Sequence, residues 1–233
     1  MVEQATLLRA VADYARTIGG PYDVTDVLDR LTDQVVEVLD VHGAGVSLAG
    51  EDGRLRFATA SDDDVAAVEE HQIAVEQGPC HDAYRTARRV VAADLDGDRH
   101  WPDYAPTVRD RGYRAVAGIP MASVGHRIGA LDLYRRVAGD WPSNEFEVAQ
   151  VLADMATGYI INARVLAEQQ RVTAQLEHAL DSRVVIEQAK GLLAERHGLD
   201  PQVAFERLRD HARDHNRQLS EVARALVEER LRL

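Results

Sequence analysis

SRVVIEQAKGLLAERHGLDPQVAFERLR, residues 182–209, is the stretch that decides the fold. Apolar residues recur three and four apart through Val185, Ile186, Ala189, Leu192 and Leu193, the spacing of a buried helical face. Gly198 is placed to end this helix as a C′ glycine. Asp200-Pro201 opens the next, with Asp as N-cap and Pro at the first helical position. Its apolar face is Ala204, Phe205, Leu208 and Ala212. Further on, Ser220 is expected to open a third helix, with Glu221 favoured in its first turn by the helix dipole. Val222, Ala223 and Leu226 complete the expected core of a small three-helix bundle.

Working upstream, no strong breaker falls between Asn144 and His197, although Gly158 and Gly191 lie inside. A run of about fifty residues is long for a globular helix and predicts a coiled-coil portion. Ser143 is the expected N-cap, and Phe146 begins the apolar pattern. Alternating steps of three and four select Leu152, Met155, Tyr159, Asn162, Leu166, Gln169, Thr173, Leu176 and Leu180. Asn162 would be the polar core residue that sets register and favours a parallel dimer. The competing reading is an amphipathic helix packed on its own domain.

The first 145 residues read differently. Leu7, Leu8, Val11, Ala12 and Ala15 predict a helix over 3–18, stopped by Gly19-Gly20-Pro21. A second helix is expected over Asp23–Leu39. Residues 44–48 and 55–59 flank Asp52-Gly53, a hairpin turn. Residues 62–73 read as a polar helix, 90–93 as a strand and 103–111 as a helix. Residues 115–122 and 128–134 read as two apolar strands joined by a second hairpin. Residues 20–145 are therefore expected to be α+β, an antiparallel sheet with helices on its faces.

Charge is unevenly spread. The 233 residues carry a net charge of −12, which excludes a protein that coats DNA non-specifically. Residues 1–170 hold 28 acids against 16 arginines, whereas residues 171–233 are balanced. Lys190 is the only lysine, against 26 arginines. At 100° per residue, Arg209, Arg213 and Arg217 would form a stripe pointing away from the apolar face of their helix. Arg183 and Lys190 lie seven apart on one flank of the preceding helix. Gly191 leaves backbone accessible there, at a helix cost of about 1 kcal/mol relative to Ala. Asn216 closes the middle helix beside Arg217. These are residue types that contact phosphates and stack on unpaired bases. A solvated, salt-bridged face is the alternative, since Glu187, Glu206, Asp210 and Asp214 lie close in sequence. The single cysteine, Cys80, excludes an intramolecular disulfide and suits a reducing cytoplasm. Neither a signal peptide nor a membrane span is visible in the sequence.

The pattern from Ser182 to Ala194, followed by Ala204–Arg209, Ala212-Arg213, Asn216–Leu219 and Val222-Ala223, resembles an ANTAR domain. Upstream, Gln77–Ala83, Arg99–Pro102 and Ile128–Tyr134 resemble parts of a GAF domain. The whole chain is thus similar to actinobacterial GAF–ANTAR regulators. The resemblance implies an α+β GAF sensor domain over 22–165, after an N-terminal helix over 1–21. A helical connector over 144–180 and an all-α three-helix ANTAR bundle over 171–233 would follow. It also implies a signal-responsive RNA-binding antiterminator, a homodimer that grips stem-loops in nascent leader RNA and touches RNA polymerase only indirectly. Carried over by position, Arg183, Lys190, Gly191, Arg209, Arg213, Asn216 and Arg217 are the candidate RNA contacts, with support of the bundle as the alternative for Arg213 and Asn216. The alternative is a dimeric protein-interaction module whose bundle no longer binds RNA.

The resemblance leaves the cofactor unknown, since GAF domains enclose a cyclic nucleotide, haem, a bilin or nothing. Cys80, His81 and Trp101 are the candidate pocket residues, and His100 a further one. Cys80 would sense redox signals or nitric oxide if His81 or a helix N-terminus stabilised its thiolate. Otherwise it is a buried hydrophobe. No catalytic set is read: neither a phosphate-binding loop nor a dinucleotide fingerprint is present. His211 and His215 lie four apart without an evident third ligand, so no metal site is expected there.

Overall fold

The structure, a computed structural model, describes residues 4–17, 22–123, 125–228 and 231. The chain divides into two compact units, Met1–Arg164 and Val165–Leu233.

The first unit is built on five antiparallel strands in the order β2-β1-β5-β4-β3. They are β1 (Gly43–Ala49), β2 (Leu55–Ala60), β3 (Val90–Ala92), β4 (Ala115–Ser123) and β5 (His126–Arg135). Helices α1 (Gln4–Thr17), α2 (Val24–Leu39), α3 (Asp63–Val75), α4 (Pro79–Thr86) and α5 (Ala105–Asp110) accompany the sheet. The expected α+β architecture and both hairpins are present. The expected stop at Gly19-Gly20-Pro21 lies outside the described residues, as does Val124 in the second hairpin turn.

Period-two alternation sorts the strands into two faces. Ala44 and Val46 of β1, Ala117 and Ile119 of β4, and Leu131 and Leu133 of β5 share one apolar cluster with Leu31 and Val35 of α2. The intervening residues point the other way. Val116 and Tyr134 join Val65, Val68 and Tyr104, while Ala130 joins Cys80 and Ala83. Helices α3 and α4 therefore cover the second face.

Helix α6 (Ser143–His197) is 55 residues long and contributes to both units. Ser143 is its first residue and not its cap, because Phe146 N–H bonds back to the Pro142 carbonyl at 3.5 Å. The expected heptad seam divides along this helix. Leu152 and Tyr159 are buried in the core of their own unit, with Ala149, Ala153, Ala156 and Ile160 beside them, and Met155 packs against it. There the amphipathic reading holds. Asn162, expected as a polar residue of the dimer core, donates to Tyr22 Oη at 3.2 Å within its own chain. Beyond it, Leu166, Leu176 and Leu180 are exposed.

The second unit closes with α7 (Pro201–Asp214) and α8 (Leu219–Val227). Asp200 caps α7 by accepting from Gln202 N–H at 2.8 Å, with Pro201 at its start. Gly198 ends α6 at φ 61°, a left-handed conformation that suits glycine. Leu199 N–H then bonds to the Ala194 carbonyl at 2.9 Å, giving a Schellman turn. The bundle core is Ala189, Leu193, Ala204, Leu208, Ala212, Val222, Ala223 and Leu226. Leu192 and Phe205, expected in this core, are only half-buried. Ser220 does not open α8, whose N-cap is Gln218.

Candidate nucleic-acid interface and sensor interior

On the bundle, Arg209 and Arg213 lie one turn apart on α7 and share a face. Arg217 does not extend their helix. α7 stops at Asp214 because Asn216 turns left-handed at φ 49°. Arg217 N–H bonds to the Ala212 carbonyl at 2.8 Å and Asn216 N–H to that of Arg213 at 3.1 Å, a second Schellman turn. Asn216 thus has a capping role of its own, since asparagine tolerates this conformation better than most residues. The expected three-residue stripe is two helical arginines followed by a third on the turn.

Each of these cations has an acidic neighbour. Lys190 Nζ pairs with Glu187, and Arg213 with Asp210. Arg209 lies 3.8 Å from Asp210, and Arg217 lies 3.9 Å from Glu221. These pairs do not withdraw the cations from solvent: the Arg213 side chain is 69% exposed and that of Arg209 54%. Lys190 is the most covered, at 25%. Exposed pairs of this kind contribute about 0–1 kcal/mol and exchange readily for another anion. Arg183 is also exposed. A Cβ placed on Gly191 meets no atom within 4 Å among the described residues, so no neighbouring side chain there requires glycine.

The sequence reading missed an open groove of about 600 Å³ beside Arg217. His178, Ser220, Glu221, Arg224 and Glu228 line it too. Only the fold joins His178 of α6 to the residues of α8, so spacing gave no signal for it. His211 and His215 do not form an open pair of ligands. Their rings stack at 4.0 Å, and the His215 Nδ1 atom lies 2.9 Å from the His211 carbonyl.

The first unit holds a set of polar groups inside. Glu69 and Gln72 of α3, Ser47 of β1, Asp132 and Tyr134 of β5 and Cys80 of α4 are all fully buried. Tyr134 donates to Glu69 Oε1 at 2.8 Å, and Ser47 to Glu69 Oε2 at 3.1 Å. Gln72 Nε2 donates to Asp132 Oδ2 at 2.7 Å and to Glu69 Oε2 at 3.3 Å. Gln72 Oε1 accepts from Cys80 N–H at 3.1 Å. Gly78 caps α4 at φ 136°, and a Cβ there would stand 2.1 Å from that same Oε1 atom. Burial raises the Glu69 carboxyl above the ordinary range. Burial, then the Glu69 charge, raises Asp132.

The three expected pocket residues do not converge. Cys80 enters the buried polar cluster, and its thiol is pushed up by burial and then by Asp132 and Glu69. That is the reverse of the electropositive surround a reactive thiolate needs. Burial holds the half-buried His81 imidazole below its ordinary range. Trp101 packs with Val65, Tyr104 and Val108, a cluster that Tyr134 also joins, and its indole N–H donates to Asp82 Oδ2 at 3.0 Å. His100 Nε2 lies 3.0 Å from the same oxygen and is exposed. Glu69, Gln72 and Asp132 were missed as site residues. Asp132, a carboxylate inside an otherwise apolar strand, was the one local signal.

The chain belongs to the GAF domain family, whose model matches residues 23–160. The ANTAR domain model matches residues 174–227, which gives the chain a GAF–ANTAR architecture. A sensor-type domain joined to an ANTAR domain makes the chain a signalling regulator. No curated protein matches the sequence. Among solved structures, the chain is similar to the GAF domain of a phosphoenolpyruvate-protein phosphotransferase from Coxiella burnetii. That match has 13% identity and a TM-score of 0.57, and covers 70% of this chain and 98% of the other. GAF3 of Slr1393 from Synechocystis sp. PCC6803, in its photoproduct state, is 17% identical with a TM-score of 0.53, covering 64% and 99%. A GAF domain/HD domain protein from Geobacter sulfurreducens is 15% identical with a TM-score of 0.51, covering 62% and 97%. Likeness at this identity establishes the fold alone.

Proposed function

We propose that the chain is a signal-responsive, RNA-binding transcription antiterminator. Its GAF domain takes up a small-molecule signal, and its ANTAR domain grips stem-loops in nascent leader RNA. One observation carries this reading: Arg183, Arg209, Arg213 and Arg217 stay exposed on the ANTAR unit of an acidic chain. The ion pairs of Arg209, Arg213 and Arg217 are with acids one to four residues away in the chain, and phosphates can replace those partners. Lys190 adds a compact charge beside the open backbone of Gly191. The effect on RNA polymerase is indirect, through the fold of the transcript. No helix of the described residues is long and apolar enough to cross a membrane, and nascent transcripts place the work in the cytoplasm.

Paired stem-loops suit a homodimer, and α6 offers a seam for one. Val165, Leu166, Val172, Leu176, Leu180 and Val184 are all exposed. At 100° per residue they fall within an arc of about 120°. A second copy of this stripe would cover them, with Gln169 and Thr173 inside the seam. A ligand-driven change in α6 register or pairing would then alter the spacing of two RNA-binding faces.

Gel-shift titration against tandem hairpins tests the reading. The wild-type chain is expected to bind two linked hairpins more tightly than one, and Lys190→Ala and Arg209→Ala to weaken both complexes. The same acidic neighbours that pair the cations favour a second reading, a dimeric interaction module without RNA affinity. Unchanged binding in both variants would reject the assigned face. No binding by the wild-type chain would favour the second reading.

A further inference from the structure

Asp132 is flanked by glycine on both sides. In the sheet register it stands opposite Gly45 of β1 and Gly118 of β4. Neither could carry a side chain without displacing the cluster. A Cβ on Gly45 would stand 2.5 Å from Glu69 Oε1. One on Gly118 would stand 2.5 Å from the Pro79 carbonyl oxygen and 3.1 Å from Asp132 Oδ1. The two glycines make a cradle in which two carboxylates and a thiol meet inside the protein. One ligand atom from each of Glu69, Cys80 and Asp132 lies within 4.8 Å of the others. Asp132 Oδ1 is buried and accepts from no donor group of another residue type, its carboxyl standing against that of Glu69. Among the described residues, neither carboxylate forms a salt bridge with a basic side chain.

We infer that Glu69, Cys80 and Asp132 bind one divalent transition-metal ion of the zinc class. The donor set selects the ion. One sulfur and two carboxylate oxygens suit a borderline ion such as Zn²⁺, whereas Mg²⁺ and Ca²⁺ prefer all-oxygen shells. Small side-chain rotations would bring the donors to the roughly 2.0–2.3 Å bond lengths of a tetrahedral site. The second layer of contacts is already in place. Tyr134 and Ser47 hold Glu69, Gln72 spans both carboxylates, and the Cys80 N–H is tied to Gln72. Such outer partners fix the direction of the ligating atoms. On binding, the Cys80 S–H bond breaks as the sulfur–metal bond forms, and its proton, with the one held between the Glu69 and Asp132 carboxyls, leaves for solvent. Three protein donors leave a fourth position for water or a small signal molecule. The inference names a ligand for the GAF domain and in that respect rests on its reading as a sensor. Its test uses no RNA, so the two readings can fail separately.

The full-length chain, stripped of metal with a chelator, is titrated with Co²⁺ and with Zn²⁺. One equivalent of Co²⁺ per chain is expected to give a sulfur-to-cobalt charge-transfer band that Zn²⁺ displaces. Cys80→Ser should abolish that band, and Gln72→Ala should weaken binding about 10–100-fold. X-ray absorption of the zinc-loaded wild-type chain reads the ligands without any substitution. It should show one sulfur among oxygen donors. A first shell without sulfur overturns the site, as does failure to bind either ion. So does binding that survives Cys80→Ser but is lost in His211→Ala, which would place the ion on the surface histidines.

Discussion

The two units treat charge in opposite ways. In the first, Glu69 and Asp132 are fully buried with no basic partner among the described residues, held by the amide of Gln72 and the hydroxyls of Ser47 and Tyr134. In the second, Lys190, Arg209, Arg213 and Arg217 lie at the surface beside acids they can abandon. A buried carboxylate must be satisfied internally or by an ion, whereas an exposed guanidinium is already solvated and changes partner at little cost. The polar groups of the first unit are thus committed to its interior, whereas the cations of the ANTAR unit stay available to an outside anion.

Helix α6 allows this contrast to be broken with the same substitution at two places. Leu152 is fully buried and Leu176 is 67% exposed. Leu152→Ala is expected to destabilise the sensor unit by about 2–5 kcal/mol in urea titration. Leu176→Ala should leave monomer stability nearly unchanged and shift the monomer–dimer equilibrium in sedimentation. A dimer unaffected by Leu176→Ala, or by Leu176→Asp, would remove the seam. Glycine gives a sharper version. Gly118→Ala should cost about 1–3 kcal/mol, because its Cβ would press on the Pro79 carbonyl. Gly191→Ala should stabilise the chain by about 0.5–1 kcal/mol, because only helix propensity changes there. Any loss of RNA affinity in Gly191→Ala would then report close approach of the transcript, since folding is not harmed.

What could be read from the sequence follows from how local each signal is. The Asp200 cap and the Gly198 turn depend on a few adjacent residues, and both are where the pattern puts them. The apolar runs of β4 and β5 on either side of a short polar turn likewise mark a buried hairpin. Asn216 closes α7 as the sequence suggests, but its left-handed turn takes Arg217 off the helix, so spacing at 100° per residue does not hold for the third arginine of the stripe. The seam was misplaced at Leu152 and Tyr159 because a heptad looks the same whether its own domain or a second copy covers it. Helix α3 was read as polar, yet Glu69 and Gln72 lie on its buried side. Hydrophobic periodicity is blind to a polar interior. Glu69 and Asp132 meet only because α3 packs over β1 and β2 and its side chains reach β5, across 63 residues of chain that no spacing rule connects.

The exposed cations of the ANTAR unit are proposed to bind phosphate. The most direct test is the salt dependence of affinity for a tandem-hairpin RNA, measured for the wild-type chain and for Arg209→Ala. The logarithm of the binding constant is expected to fall linearly with the logarithm of salt concentration. Arg209→Ala should weaken binding and make that slope shallower by roughly 0.7–1, the loss of one phosphate contact. Equal affinities and equal slopes for the two proteins would mean that Arg209 meets no phosphate.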